Sequence, residues 1–233
     1  MIRTVIFDID NTIHSYTNAN VAAKNALKDY FQKNFGISAE ELDLLWKQGM
    51  KIQEETLGMD NVAIHDIGVR MQIILEEKGI NPIPHSGKLH YLYWDTFMEQ
   101  VRPEPGVVEG IRSLKDQNIR IGIATDMCVG IQYRKLEKLQ LLDVFDFIVT
   151  SQGIGYEKPN PRFFEAVLSK TLCKREECLM IGDNWKKDIM GALHAGMHAA
   201  WYCPDINETE MTEEQKLHAF HSYYDLNIHQ ASF

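Results

Sequence analysis

Short apolar segments alternate with helical patterns along the second half of the chain, and this alternation limits the fold more than any other feature. A further apolar segment stands near the start of the chain. Parallel strands need long crossover connections, usually helices, so this pattern predicts a parallel sheet covered by helices on both faces. The predicted strands are 4–7, 119–123, 145–150, 178–181 and 199–202, and the predicted helices between them are 107–114, 130–139, 161–170 and 186–195.

Only helical patterns occur between about residues 19 and 101. Apolar side chains recur there at the spacing that places them on one face of a helix. Ser38 and Glu41 have the arrangement of a capping box, which marks the start of a helix. The segment 102–106 contains two prolines and a glycine, and it ends the helical pattern sharply.

These patterns predict two domains. A core domain is expected from residues 1–15 and 103–233, and a helical domain from residues 16–102 is inserted after the first strand. Beyond Pro204 the chain is polar and acidic, and a helix is predicted over 212–223. This last segment is expected either to pack on the core or to join a dimer.

The chain carries more acidic than basic side chains. It has 233 residues, with 33 Asp and Glu against 24 Lys and Arg, a formal net charge of -9. Nucleic-acid polymers and anionic membrane surfaces attract positive charge, so this balance argues against both as partners. No apolar run is long enough to span a bilayer, and the first residues lack the apolar region of a signal peptide. Four cysteines without a C-x-x-C pair favour a reducing compartment, so a cytoplasmic protein is expected, as a monomer or a homodimer.

Polar side chains follow the predicted strands at the points where the strands end. Ligands bind beyond the carboxyl ends of the strands in an open parallel sheet. Asp8 and Asp10 follow the first strand, and side chains two apart on extended backbone point the same way. Their like charges require a partner such as a bound cation. The other polar residues at this edge are Thr125, Asp126, Lys158, Asp183 and Asp188. Gathered carboxylates favour Mg²⁺, and a lysine with a hydroxyl suits phosphate oxygens.

Four short motifs occur in order along the chain: DIDNT at 8–12, IATD at 123–126, EKP at 157–159 and GDNWKKD at 182–188. This set resembles the motifs of the haloacid dehalogenase superfamily, which are D-x-D-x-T, a Thr or Ser that ends the second strand, a Lys often followed by Pro, and G-D-x-x-x-x-D. The long helical insertion is similar to the helical cap domain of that superfamily. The D-x-D-N-T and GDN forms are similar to those of its small phosphatases, which include nucleotidases and acylneuraminate phosphatases.

The resemblance implies a Rossmann-like α/β core with helices on both faces and an inserted all-helical cap domain. It implies a magnesium-dependent phosphatase that hydrolyses a small phosphomonoester (a nucleotide, a sugar phosphate or a similar metabolite) through an aspartyl-phosphate. A phosphomutase of the same fold keeps the same motifs and is one alternative. A non-catalytic phospho-ligand-binding protein is another, although the loss of Asp8 or Asp10 would usually mark it. A haloacid dehalogenase usually lacks an acid at the position of Asp10.

The resemblance also implies a role for each acidic motif residue. Asp8 is expected to be the nucleophile and a metal ligand. Asp10 is expected to be the general acid and then the general base, with its backbone carbonyl facing the metal. Asp183 is expected to bind the metal directly. Asp188 is expected either to bind the metal through water or to hold Lys158.

The remaining motif residues are expected to bind the phosphate. Thr125, with the backbone N–H groups around it, would hold phosphate oxygens, and Lys158 would offset the charge of the phosphate and of Asp8. These two residues are also counted as catalytic, and Thr12 and Asp126 complete the substrate-binding set. Many relatives have Asn at the position of Asp126. Because a carboxylate that faced the phosphate would weaken binding, we expect the Asp126 side chain to point away.

Overall fold

The computed structural model describes residues 1–58, 61–224 and 226. The chain divides into two compact units. The first unit comprises Met1–Ser15 with Arg102–Phe233, and the second unit comprises Tyr16–Val101. None of the described helices is both long enough and apolar enough to cross a membrane.

A parallel sheet lies at the centre of the first unit. Its order is β3-β2-β1-β4-β5-β6, and each described pairing is parallel. All four residues of the first strand are buried, because this strand is central in a parallel sheet whose faces are covered by the connecting helices. The strands are β1 (Thr4–Phe7), β2 (Arg120–Thr125), β3 (Phe147–Thr150), β4 (Cys178–Gly182), β5 (His198–Tyr202) and β6 (Ala219–Phe220).

The described part of the second unit is helical throughout. Its α-helices are α1 (Tyr16–Phe35), α2 (Ala39–Leu57), α3 (Ile67–Glu77) and α4 (Ser86–Gln100). Helix α2 begins after Ser38, whose hydroxyl accepts the N–H of Glu41 at 3.2 Å, and such a cap satisfies a donor that the helix itself leaves free. Aromatic side chains fill the interior, where Trp46 stacks on Tyr93 with ring centroids 5.9 Å apart.

Further helices connect the strands of the first unit: α5 (Val107–Asp116), α6 (Val129–Lys138), α7 (Ser151–Ile154), α8 (Pro161–Thr171), α9 (Met190–His194) and α10 (Glu213–His218). The predicted fold class is confirmed, because the parallel sheet is joined by helices in the Rossmann manner and the inserted segment is helical. The helix predicted over 186–195 begins as a π-helical turn, Trp185–Ile189, before α9. Such widened turns are frequent at functional sites.

The helix predicted over 212–223 is wrong in its extent. Helix α10 ends at His218, and the next two residues form β6, which pairs with β5. Local pattern favours the helix through its capping box at Thr212 and Gln215. After the helix, the backbone pairs with the edge strand β5 instead. A prediction from local sequence does not include this partner, because β5 lies outside the segment considered. Beyond β6, Tyr223 is buried and its hydroxyl donates to the backbone oxygen of Thr12 at 3.0 Å, so the described C-terminal segment packs on the core.

The pairing of β2 with β3 depends on a glycine. Gly122 is the register partner of Phe147. A Cβ atom at Gly122 would lie 2.1 Å from the Phe147 ring, which occupies the space above the strand. The guanidinium of Arg120 lies over the same ring, 5.2 Å from its centroid, which is a cation–π geometry. The absence of a side chain at Gly122 therefore lets an aromatic ring cross β2.

We expect Gly122→Ala to lower the free energy of unfolding by about 1–3 kcal/mol, because the added methyl group overlaps the Phe147 ring. Urea unfolding followed by circular dichroism measures this change. Gly110→Ala is the matched control, since a Cβ atom at Gly110 in α5 meets nothing within 4 Å, and a helical Gly→Ala change should stabilise by about 0.5–1 kcal/mol. Equal effects of the two substitutions would contradict the role given to Gly122.

Candidate active site

The predicted motif residues meet at the carboxyl ends of adjacent strands. Asp8 directly follows β1, Thr125 ends β2 and Asp183 follows β4. β1 lies between β2 and β4 in the sheet, which makes this edge the point where connections leave in opposite directions and ligands bind. The N–H of Asp8 donates to the backbone oxygen of Ile181 at 2.9 Å. The ladder to β4 therefore extends to Asp8 and fixes its position.

A buried lysine joins two of the predicted carboxylates. The Nζ of Lys158 lies 2.9 Å from Oδ1 of Asp8 and 2.6 Å from Oδ1 of Asp188. It also donates to the backbone oxygen of Ala124 at 3.1 Å. An ammonium group has three donors, and these acceptors account for all of them. The Lys158 side chain is 3% exposed and Asp188 is 1% exposed, so the group is an interior ion cluster.

Burial and mutual repulsion change the ionisation of this cluster. Burial raises the pKa of Asp8 to about 8, since the neighbouring carboxylates add to its effect and Lys158 only partly opposes it. The pKa of Asp183 is raised to about 7, mainly by burial and next by the charge of Asp188. Burial would lower the pKa of Lys158, but Asp188 and Asp8 outweigh it and raise that pKa well above its ordinary value. One lysine therefore does not compensate three neighbouring acids.

The same acids are placed to hold a metal ion. Oxygen atoms of Asp8, Asp183 and Asp188 all lie within 4.8 Å of one another. Carboxylate oxygens are the ligands of hard divalent cations, and a cation here would offset the repulsion that raises the pKa of Asp8 and Asp183. The donor set therefore fits such an ion. Within the part of the chain that the structure describes, the Asp10 side chain is not in this group.

The loop after β4 is shaped by its glycine and by two hydrogen bonds. A Cβ atom at Gly182 would lie 2.5 Å from the Asp188 side chain, so glycine is required for the carboxylate to pack against the strand end. Oδ2 of Asp188 accepts the N–H of Asn184 at 3.0 Å. The indole N–H of Trp201 on β5 donates to the backbone oxygen of Asp183 at 2.7 Å. Asn184 also caps the following turn, where its Oδ1 accepts the N–H of Lys187 at 2.9 Å.

Asp10 is turned toward a different set of side chains. Its Oδ1 lies 2.6 Å from Nζ of Lys135 and 3.0 Å from Nε2 of His14, and its Oδ2 accepts from Nε2 of Gln132 at 3.2 Å. Burial alone would raise the pKa of Asp10, but Lys135 and then His14 outweigh it and hold that pKa below its ordinary value. The carboxylate form of Asp10 is therefore stabilised.

The predicted phosphate-binding hydroxyl groups are occupied or enclosed. The Thr125 hydroxyl accepts from Nε2 of Gln132 at 2.6 Å and donates to the backbone oxygen of Asp126 at 3.2 Å. Thr12 is fully buried, and its hydroxyl has no hydrogen-bond partner among the described residues. The Thr125 hydroxyl is hydrogen-bonded within the protein and the Thr12 hydroxyl is buried, so neither is exposed to a phosphate in this arrangement.

The Asp126 carboxylate is held by the loop that carries Lys158. Its Oδ1 accepts the backbone N–H of Lys158 at 3.0 Å, and its Oδ2 accepts from Nζ of Lys187 at 2.8 Å. Lys187 also pairs with Glu157 at 3.2 Å. With both oxygens engaged in this way, Asp126 links the loops after β2, β3 and β4.

The sequence motifs predicted that Asp8, Lys158, Asp183 and Asp188 lie at one edge of the sheet, and the structure brings them together there. The partners of Asp10 were not predicted. Gln132 and Lys135 are three residues apart on α6 and therefore share a face. That spacing, directly after the Thr125 motif, was a signal that could have been used. His14 lies only four residues after Asp10, beyond a turn in which Asn11 has φ 54°, a conformation that Asn tolerates better than most residues.

Comparison with known proteins gives consistent matches over most of the chain. Residues 5–202 match the haloacid dehalogenase-like hydrolases. The chain is 30% identical over 216 residues to ribulose-1,5-bisphosphate 5-phosphatase of Halopiger xanaduensis, covering 91% of this chain and 89% of that protein. It is 30% identical over 217 residues to glyceraldehyde 3-phosphate phosphatase of Methanothermobacter thermautotrophicus, covering 93% of this chain and 92% of the relative.

A solved structure agrees with this assignment. The HAD-hydrolase YfnB from Bacillus subtilis bound to magnesium matches with a TM-score of 0.69 and 25% identity, covering 88% of this chain and 91% of that one. The family match covers far more than half of the chain, from the second residue of β1 to the end of β5, and so includes the acidic cluster and Lys158. The chain therefore belongs to the haloacid dehalogenase-like hydrolase family.

Proposed function

We propose that the protein is a magnesium-dependent phosphatase that hydrolyses a small phosphomonoester through an aspartyl-phosphate on Asp8. The observation that carries this proposal is the position of Asp8. Its carboxylate is fixed at the end of β1, 2.9 Å from Lys158 and next to an acidic cluster that fits a divalent cation. The names of two relatives as phosphatases support the same activity.

Formation of the intermediate uses two residues of the first motif. A carboxylate oxygen of Asp8 attacks phosphorus, and the bond from phosphorus to the ester oxygen breaks. Asp10, in its protonated form, gives its proton to the departing oxygen as general acid. Lys158 reduces the repulsion between Asp8 and the incoming phosphate, since its ammonium lies against the attacking carboxylate.

Breakdown of the intermediate reverses the role of Asp10. As a carboxylate it takes a proton from water, the water oxygen bonds to phosphorus, and the bond to Asp8 breaks. The products are an alcohol, inorganic phosphate and the original Asp8 carboxylate. Asp8, Asp183 and the backbone carbonyl of Asp10, with Asp188 beside them, would hold the magnesium ion, which would supply charge stabilisation for the phosphoryl group.

We infer that the substrate is a small phosphorylated metabolite, with sugar phosphates as the first class to test. Two relatives that cover about nine-tenths of the chain are named for phosphorylated sugars. Nucleoside monophosphates form the second class, as the GDN and D-x-D-N-T motifs favour. The net charge of -9 agrees with small substrates rather than with polyanions.

The first experiment measures phosphate release from a panel of sugar phosphates and nucleoside monophosphates, with Mg²⁺ and with chelator. Asp8→Asn should abolish release, because an amide cannot replace the attacking carboxylate, while the exposed Asp143→Asn should behave as wild type. Removal of the metal should likewise stop turnover. If wild-type protein released no phosphate from any ester but moved it between positions of a sugar, the mutase alternative would replace the phosphatase.

Metal binding has a readout independent of activity. Mg²⁺ added to the wild type should raise the thermal unfolding midpoint saturably, because a ligand that binds only the folded state stabilises it, by about 2.7 kcal/mol at one hundred times its dissociation constant. Asp183→Asn should remove most of this rise, and Asp143→Asn should keep it. Scans with NaCl at matched ionic strength separate binding from screening. An unchanged rise in Asp183→Asn would remove Asp183 from the metal site.

Asp126→Asn tests whether that carboxylate faces the substrate. Since both of its oxygens are engaged by the Lys158 N–H and by Lys187, and a partly exposed ion pair contributes about 0–1 kcal/mol, we expect KM to change by no more than about fivefold. A large fall in KM would show instead that the acid repels the phosphate. Steady-state kinetics on the best ester of the panel decide between these outcomes.

A further inference from the structure

Two fully buried polar side chains of helix α6 lie at the active-site edge of the sheet. Gln132 and Lys135 are both 0% exposed. Three residues apart, they lie on the same face of the helix. A buried ammonium group is costly unless an anion accompanies it. The anion here is Asp10, 2.6 Å away.

Three donors from two segments converge on the Asp10 carboxylate. Lys135 and His14 both contact Oδ1, at 2.6 and 3.0 Å, and Gln132 contacts Oδ2 at 3.2 Å. His14 and Lys135 have no exposed side-chain surface, whereas Asp10 keeps 23% of its own. The donors therefore hold the carboxylate from the protein side and leave part of it open.

Gln132 extends this arrangement to the second motif. The same Nε2 atom lies 2.6 Å from the Thr125 hydroxyl and 2.9 Å from the backbone oxygen of Asp126. One amide thus connects the carboxylate that follows β1 with the end of β2.

We propose that Lys135, Gln132 and His14 are positioning residues that hold Asp10 in the orientation required for proton transfer, with Lys135 as the main one. This inference rests on the proposed function, because it assigns the three residues to the proton-transfer step of that reaction. They act through Asp10 and touch neither the phosphate nor the metal in the proposed mechanism.

A merely structural ion pair and a positioning role differ in how the rate depends on the leaving group. An alkoxide needs a proton as it departs, whereas p-nitrophenolate leaves without one. The value of kcat/KM reports the steps up to that departure. Misplacing Asp10 should therefore reduce kcat/KM for an alkyl phosphate far more than for p-nitrophenyl phosphate. The second step needs Asp10 as base whichever ester was used, so the aspartyl-phosphate should accumulate.

The test compares Lys135→Met with wild type on p-nitrophenyl phosphate and on the best alkyl phosphate of the panel. We expect kcat/KM for the alkyl ester to fall by about 10²-fold or more, as for loss of a general acid, and to fall less than tenfold for the aryl ester. Rapid mixing with the aryl ester should give a burst of p-nitrophenolate. Lys138→Met, at an exposed position of the same helix, is the matched control and should behave as wild type.

If Lys135→Met does not fold, Gln132→Met provides the same test. The Gln132 substitution removes no charge from the interior. It should give the same preference for the aryl ester, with a smaller loss. Equal losses on both esters without a burst, in whichever variant folds, would overturn the positioning role. Failure of the proposed function itself would look different, because wild-type protein would then release no phosphate from either ester.

Discussion

The ion cluster around Lys158 is the interaction on which the rest of the active-site edge depends. Its ammonium lies between Asp8 and Asp188 and is almost completely buried. Removal of one partner from a buried ion pair commonly costs about 3–5 kcal/mol, because a charge is left without compensation. The segments that follow β1, β3 and β4 each contribute one member, so the charges also hold these segments together. The ion cluster therefore links segments that follow three different strands.

The two aspartates of the first motif lie in opposite electrostatic environments. Burial and neighbouring acids raise the pKa of Asp8 to about 8, whereas Lys135 and His14 keep the pKa of Asp10 below its ordinary value. These directions are opposite to those that the proposed reaction needs, which are an ionised Asp8 and a protonated Asp10. A cation beside Asp8 and an incoming phosphate anion near Asp10 would shift both pKa values toward the required forms. The two residues differ because Asp8 lies beside Asp183 and Asp188, while Asp10 faces α6. Two residues of the same type, two positions apart, therefore have different chemistry.

Much of the fold and part of the site could be predicted from the sequence. The buried strand at 4–7, the alternation after residue 106 and the helical insertion are local patterns, and their elements formed close to the expected bounds. The four motifs located Asp8, Lys158, Asp183 and Asp188 because parallel strands bring their carboxyl ends to one edge. The partners of Asp10 and strand β6 were missed, since both depend on contacts between segments distant in sequence. Lys135 and Asp10 are a plain example, because they are 125 positions apart in the sequence.

The central place of β1 has a consequence for synthesis of the chain. Both neighbours of β1 lie far downstream, because β2 begins at Arg120 and β4 at Cys178. During translation, β1 is synthesised before both of its neighbours. It therefore has no strand to pair with until β2 and β4 leave the ribosome. Domains tend to fold as units during translation, and Tyr16–Val101 is a compact unit by itself. A chain stopped before β2 would therefore contain that helical unit while leaving β1 without either of its sheet neighbours.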